Sequence, residues 1–165
     1  HTDMLHRLAD DTAAVTIDGK DVPVKLRVHD SLFVPMAKWS MLLTGNYRCV
    51  EAHGVRAIRD AVHGDLDAST KMYAWVDALA RQLGADPADQ VPFEKYANAA
   101  TSLLKPSSAA RAIDSGVDRI ERVDRLVQMI GRGLGLYNEQ LDEIVAIVDA
   151  RLATNVNFKK VANVG

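Results

Sequence analysis

The chain has 165 residues, of which 48% are hydrophobic and 25% charged, with a formal net charge of -2. That length and composition allow one domain with a buried core, and the near-neutral balance excludes general polyanion binding, which needs a basic face. A single cysteine, Cys49, excludes a disulfide framework and a CxxC metal site.

Strand signals come first, within residues 12–29. Ala14–Asp18 and Val22–Val28 alternate apolar and polar residues around Gly19-Lys20-Asp21, a short turn of the hairpin kind. An isolated hairpin is marginal in water, so it needs a sheet or helix to lie against. From Asp30 onward the pattern reads as helical. Asp30 or Ser31 caps a helix through Leu32, Phe33, Met36, Trp39 and Leu43, with Pro35 in its first turn, where a missing N–H costs little. Gly45 and Gly54 weaken or end that helix. A second helix opens near Ala68-Ser69-Thr70 and carries Met72, Trp75, Val76, Leu79 and Leu83, a stripe closed by Gly84.

After an Asp86-Pro87 turn, Val91–Lys105 forms a helix stopped by Pro106. Ser107 or Ser108 caps a short helix that runs to Ser115-Gly116. Ile120, Val123, Leu126, Val127 and Ile130 form the next stripe, and Leu141, Ile144, Val145, Val148 and Leu152 the last, opened by Asn138. The tail NVNFKKVANVG shows no pattern. The expected class is mostly α, a helical bundle after a short N-terminal β segment, divided at 1–29 and 30–165.

Motifs with a known chemistry are few. GRGLG at 131–135 follows a helix and lacks the third glycine of a dinucleotide loop, so it reads as a helix end and turn. The histidines at 1, 6, 29, 53 and 63 form no ligand pair, and no metal is expected. Trp39 and Trp75 read as core anchors. Three features remain: Lys38 with Asn46, the pair Ser107-Ser108, and the stretch around Glu121. On a helix, Lys38 and Asn46 lie about 80° apart and about 12 Å along the axis, so they can line one cleft wall. A surface lysine and a helix-end asparagine are the plainer reading, since lysine is mostly exposed.

From about Val28 to Leu152 the order of these features resembles the C-terminal helical domain of ketopantoate reductases (2-dehydropantoate 2-reductases). PMAKWSMLL resembles the Lys-Trp start of that domain, which puts the family's catalytic lysine on Lys38. The family's first asparagine falls on Leu42, so that role is lost, and the second falls on Asn46. SAARAIDSG matches the later serine segment at Ser108, Ile113 and Gly116, with Ala112 in place of an aspartate. The family's glutamate falls on Ile120, Glu121 or Arg122, depending on register; a one-residue shift selects Glu121.

The resemblance implies a bundle like the C-terminal domain of 6-phosphogluconate dehydrogenase, and an oxidoreductase of pantothenate biosynthesis. Such enzymes bind an α-keto acid between this domain and an N-terminal Rossmann domain that carries NADPH. Lys38 and Glu121 would be catalytic, and Asn46 and Ser108 would bind substrate. The chain contains no G-x-G-x-x-G, so NADP is expected only with a further N-terminal domain, of which the β segment would be the last piece. Alone, the chain is expected to be inactive. A homodimer is the expected assembly, with no nucleic acid or membrane partner. The lone cysteine, and a start without a signal-peptide apolar core, suit a cytoplasmic protein. The alternative is a non-catalytic helical interaction or dimerisation module.

Overall fold

In the computed structural model, which describes residues 1–22, 26–29 and 31–162, helix makes up 66% of the chain, as eight α-helices among those residues. The expected mostly helical class is observed, with a small two-stranded sheet near the N-terminus.

The N-terminus departs from the expected β segment. Thr2–Ala14 forms a helix, α1, that buries none of its residues; Met4, Leu5 and Leu8 stay exposed. Alanine, leucine, methionine and arginine favour helix, but a helix of this length that packs against nothing is marginal on propensity alone. The hairpin follows as β1 (Thr16–Ile17) and β2 (Lys20–Asp21), paired Thr16 to Asp21 and Ile17 to Lys20. Its turn is Asp18-Gly19, one residue earlier than expected. Both residues have positive φ, 52° and 73°, as the tight primed turns of hairpins require. The second expected strand is not formed at 26–28, and residues 23–25 and the Asp30 cap lie outside the described residues.

Ser31 fixes the start of the helical body. Its hydroxyl accepts from Phe33 N at 3.1 Å and donates to Asp89 at 2.8 Å. Asp89 in turn closes a capping box with Asp86. A 3₁₀ turn at Val34–Met36, with Pro35 in it, leads into α2 (Ala37–Met41). The helix then loosens into a π segment at Leu42–Asn46 and tightens to 3₁₀ at Tyr47–Cys49. A second small hairpin, β3 (Val50–Glu51) with β4 (Gly54–Val55), forms where the sequence reads only as a helix weakened or ended at Gly45 and Gly54. Two-residue strands carry too few positions for an alternating pattern to register.

The remaining helices are α3 (Ile58–His63), α4 (Leu66–Gln82), α5 (Phe93–Ala100), α6 (Ser108–Asp114), α7 (Val123–Gly133) and α8 (Glu139–Ala162). Asp65 caps α4 and Ser107 caps α6, each accepting a backbone N–H. The tail without a pattern continues α8 to Ala162.

One apolar cluster holds the body together, with Leu43, Met72, Val76, Leu79, Ile113, Val127, Leu141, Val145 and Val148 at its centre. Trp39 and Trp75 pack against it and stay partly exposed. Gly131 lets Trp75 approach, since a Cβ there would come within 2.9 Å of the indole. The glycine-rich 131–135 stretch is a helix end: Leu136 N bonds back to Gly131 O at 2.8 Å, and Gly135 has φ 74°. A smaller cluster of Val62, Tyr73, Tyr96, Ala97 and Ala100 joins α3, α4 and α5. Helix α8 clamps the other side: Arg151 donates to the Glu51 and Gly54 carbonyls and to Asp114, and Asn155 donates to the Ile113 and Val117 carbonyls. No described helix is long and apolar enough to cross a membrane.

Candidate functional site

The π segment is where the candidate residues begin. One extra residue per turn widens the helix and leaves backbone groups to be satisfied from outside, a departure often found at functional sites. Here Tyr96 donates its hydroxyl to Met41 O at 3.1 Å and lies against Gly45, where a Cβ would fall 2.0 Å from that hydroxyl. On the inner side, buried Arg48 donates to Ser69 Oγ at 2.5 Å and to Thr44 O at 3.4 Å. Burial lowers the Arg48 pKa, with Arg56 adding to the effect.

The outer side of the segment opens into a hollow of about 310 Å³. Leu42, Asn46, Tyr47, Ser108, Ile120 and Glu121 line it, with Ala109 and Val123. Three candidate residues from separate parts of the chain, Asn46, Ser108 and Glu121, therefore meet on one wall system. Lys38 is exposed and outside that lining. It sits one turn before Leu42, whose N–H bonds to the Lys38 carbonyl. One turn of helix rises about 5.4 Å, a gap that an extended lysine side chain spans. Leu42 gives the floor between them an apolar surface.

The local structure separates neighbours. Ser107 is buried; its hydroxyl donates to Asn46 O at 2.8 Å and accepts from Ala110 N at 3.1 Å. It joins α6 to the π segment, while Ser108 stands at the hollow. Of the pair left open by the sequence, Ser107 is the cap. Tyr47 does the same for the turn at 120–123: its hydroxyl donates to Glu121 O at 2.6 Å and accepts from Val123 N at 2.9 Å. Burial raises the Tyr47 pKa against the pull of the Val123 N–H, so the phenol stays a donor at neutral pH. Arg122 turns away from the hollow. Its guanidinium grips fully buried Asp124 with two hydrogen bonds, of 2.9 and 2.8 Å, and reaches Asp149 at 2.5 Å. Of the three residues that the register leaves open for the glutamate, Ile120 and Glu121 line the hollow and Arg122 belongs to the scaffold.

This arrangement presents an amide, a hydroxyl and a carboxylate around an apolar floor, with exposed Lys38 one helical turn before Leu42. Such groups can orient a small polar molecule with a carbonyl or carboxylate. No cluster of three or more His, Cys, Asp or Glu able to hold a metal occurs among the described residues. No strand–glycine loop–helix unit occurs among them either, so these residues supply no dinucleotide cradle. Tyr47 is the site residue that sequence reasoning missed, although it ends the apolar run holding Lys38 and Asn46. The chain matches no protein-family model, no curated protein and no solved structure.

Proposed function

We propose that this chain is the substrate-binding domain of an NADPH-dependent reductase of α-keto acids, similar to the C-terminal domain of ketopantoate reductases. The supporting observation is the shared hollow of Asn46, Ser108 and Glu121, one helical turn from Lys38. In this reading the bundle is of the 6-phosphogluconate-dehydrogenase C-terminal kind, and the protein is cytoplasmic and homodimeric. NADPH, which would supply the hydride, sits on a separate Rossmann domain.

The chain's own residues bind and orient. Asn46 and Ser108 hydrogen-bond the carboxylate and hydroxyl groups of the keto acid. Glu121, fixed through its own carbonyl by Tyr47, orients the substrate from the opposite wall. Lys38 closes over the rim and donates a hydrogen bond, then a proton, to the ketone oxygen as negative charge grows there. Because the lysine is open to solvent, the second domain must cover it for that hydrogen bond to gain strength.

The test joins the chain to a dinucleotide-binding domain and follows NADPH oxidation with ketopantoate. Lys38→Ala should lower kcat at least about 100-fold, the scale of one acid/base group. Unchanged turnover in that variant, or no NADPH consumption with any keto acid, would overturn the reading.

A second reading, a helical association module, is favoured by the outer face of α7. Leu126 and Met129 are exposed on it, and Leu134 and Tyr137 are exposed in the turn that follows it. Sedimentation at several concentrations decides: self-association that Met129→Lys abolishes supports the module, and a concentration-independent monomer rejects it.

A further inference from the structure

The wall formed by Asn46 and Ser108 has two sides. Beyond it a second hollow of about 500 Å³ opens, lined by the same two residues and by Ile58, Leu103, Leu104, Lys105 and Arg111 among others. Its backbone is fixed at three points. Ile58 N bonds to Lys105 O at 3.2 Å, Arg59 N to Leu103 O at 3.0 Å, and Ser107 Oγ to Asn46 O at 2.8 Å. Lys105 and Arg111 are both exposed. Neither has a carboxylate within ion-pair distance among the described residues, which is also true of exposed Lys38, Lys95 and Arg119, whereas Arg56, Arg59, Arg122, Arg125 and Arg151 are paired. Among the described residues no carboxylate lines the second hollow, whereas Glu121 lines the first.

We propose that the two hollows hold one ligand, an α-keto acid with a second anionic group at its far end. Its keto-acid head occupies the Asn46–Ser108–Glu121 side. Its aliphatic middle crosses the shared wall towards Leu103 and Leu104, and Lys105 with Arg111 receives the distal carboxylate or phosphate. The substrate class is thus a dianion, read by two unneutralised cations on a rigid loop and helix. The inference rests on the keto-acid reading of the first hollow.

Calorimetric titration of the chain at low ionic strength tests it with two probes of equal chain length, α-ketoglutarate as dianion and α-ketovalerate as monoanion. The dianion should bind about tenfold more tightly, the scale of charge-assisted contacts in partial solvent exposure, and physiological salt should shrink the gap. K105Q/R111Q should remove the preference, bringing the two acids to equal affinity. Lys95→Gln, an exposed charge outside both hollows, should leave the preference intact. Equal binding of both acids to the unaltered chain would overturn the dianion inference and spare the keto-acid reading. Binding of neither would overturn both. Inorganic phosphate that binds through Lys105 and Arg111, beside α-ketoglutarate that ignores them, would assign the second hollow to a separate anion and also overturn the proposal.

Discussion

Asn46 and Tyr47 are chain neighbours, and so are Ser108 and Ser107, and Glu121 and Arg122. In each pair the first residue lines the hollow, and the second has its polar group engaged inside the protein, with Tyr47 alone of these second residues also lining the hollow. The scaffold members carry the geometry: Ser107 ties α6 to the π segment, Tyr47 ties the 120–123 turn to it, and Arg122 locks that turn to α8. The comparison teaches that a site of this kind is built by alternation. The backbone turns so that one side chain is consumed by structure and its neighbour is released for a ligand. Substitutions on the scaffold side should then act on stability, and those on the hollow side on binding.

The largest effect is expected at Arg122. Arg122→Ala leaves the fully buried Asp124 carboxylate without a counter-charge, which should cost about 3–5 kcal/mol in urea denaturation. A cost below about 1 kcal/mol would show that the pair is not the lock described. Tyr47→Phe comes next. It removes one donor and leaves the buried Val123 N–H without its acceptor, a loss of about 1–3 kcal/mol by the same measurement.

Asp149 gives a pH-dependent version. Burial alone would raise its pKa, but hydrogen bonds from Arg122 and Arg125 outweigh that and hold it below the usual carboxylate range. A carboxyl depressed on folding stabilises the fold above its unfolded value, about 3.9, and that contribution disappears as pH falls through the lower folded value. Asp149→Asn should therefore cost about 1 kcal/mol at neutral pH, a figure already reduced for partial solvent screening. The gap to the unaltered protein should narrow in acid; a gap constant with pH would contradict the ion-pair account. The smallest effect is expected at Ser108. Ser108→Ala should change stability by less than about 0.5 kcal/mol, because Ser108 is exposed and its hydroxyl makes no hydrogen bond among the described residues. A loss near that of Tyr47→Phe would erase the distinction between the two sides.

Much of the body was legible in the sequence because its stripes recur at helical spacing. Met72, Val76 and Leu79 are buried as their period predicts, and so are Leu141, Val145 and Val148. Other parts left no such mark. Helix α1 offers only the short stripe of Met4, Leu5 and Leu8, and it buries none of them. The β3–β4 hairpin has two residues per strand, too few for alternation. The π segment is invisible because its residues, Leu42 to Asn46, would suit an ordinary helix equally well. The candidate residues at 46, 108 and 121 came from a family resemblance. Their meeting in one hollow depends on long-range bonds from Tyr47 and Ser107 that no local pattern encodes. The second hollow was missed for the same reason, since Lys105 beside a proline reads only as a helix stop.

The most direct measurement is an NMR titration of the chain with ketopantoate, following the backbone amides of Asn46, Ser108 and Glu121 and repeated with Asn46→Ala. Saturable shifts at all three positions, lost in the variant while its urea midpoint stays unchanged, are the predicted result. Shifts absent from these positions, or unaffected by the variant, would contradict the claim that the three residues form one ligand site.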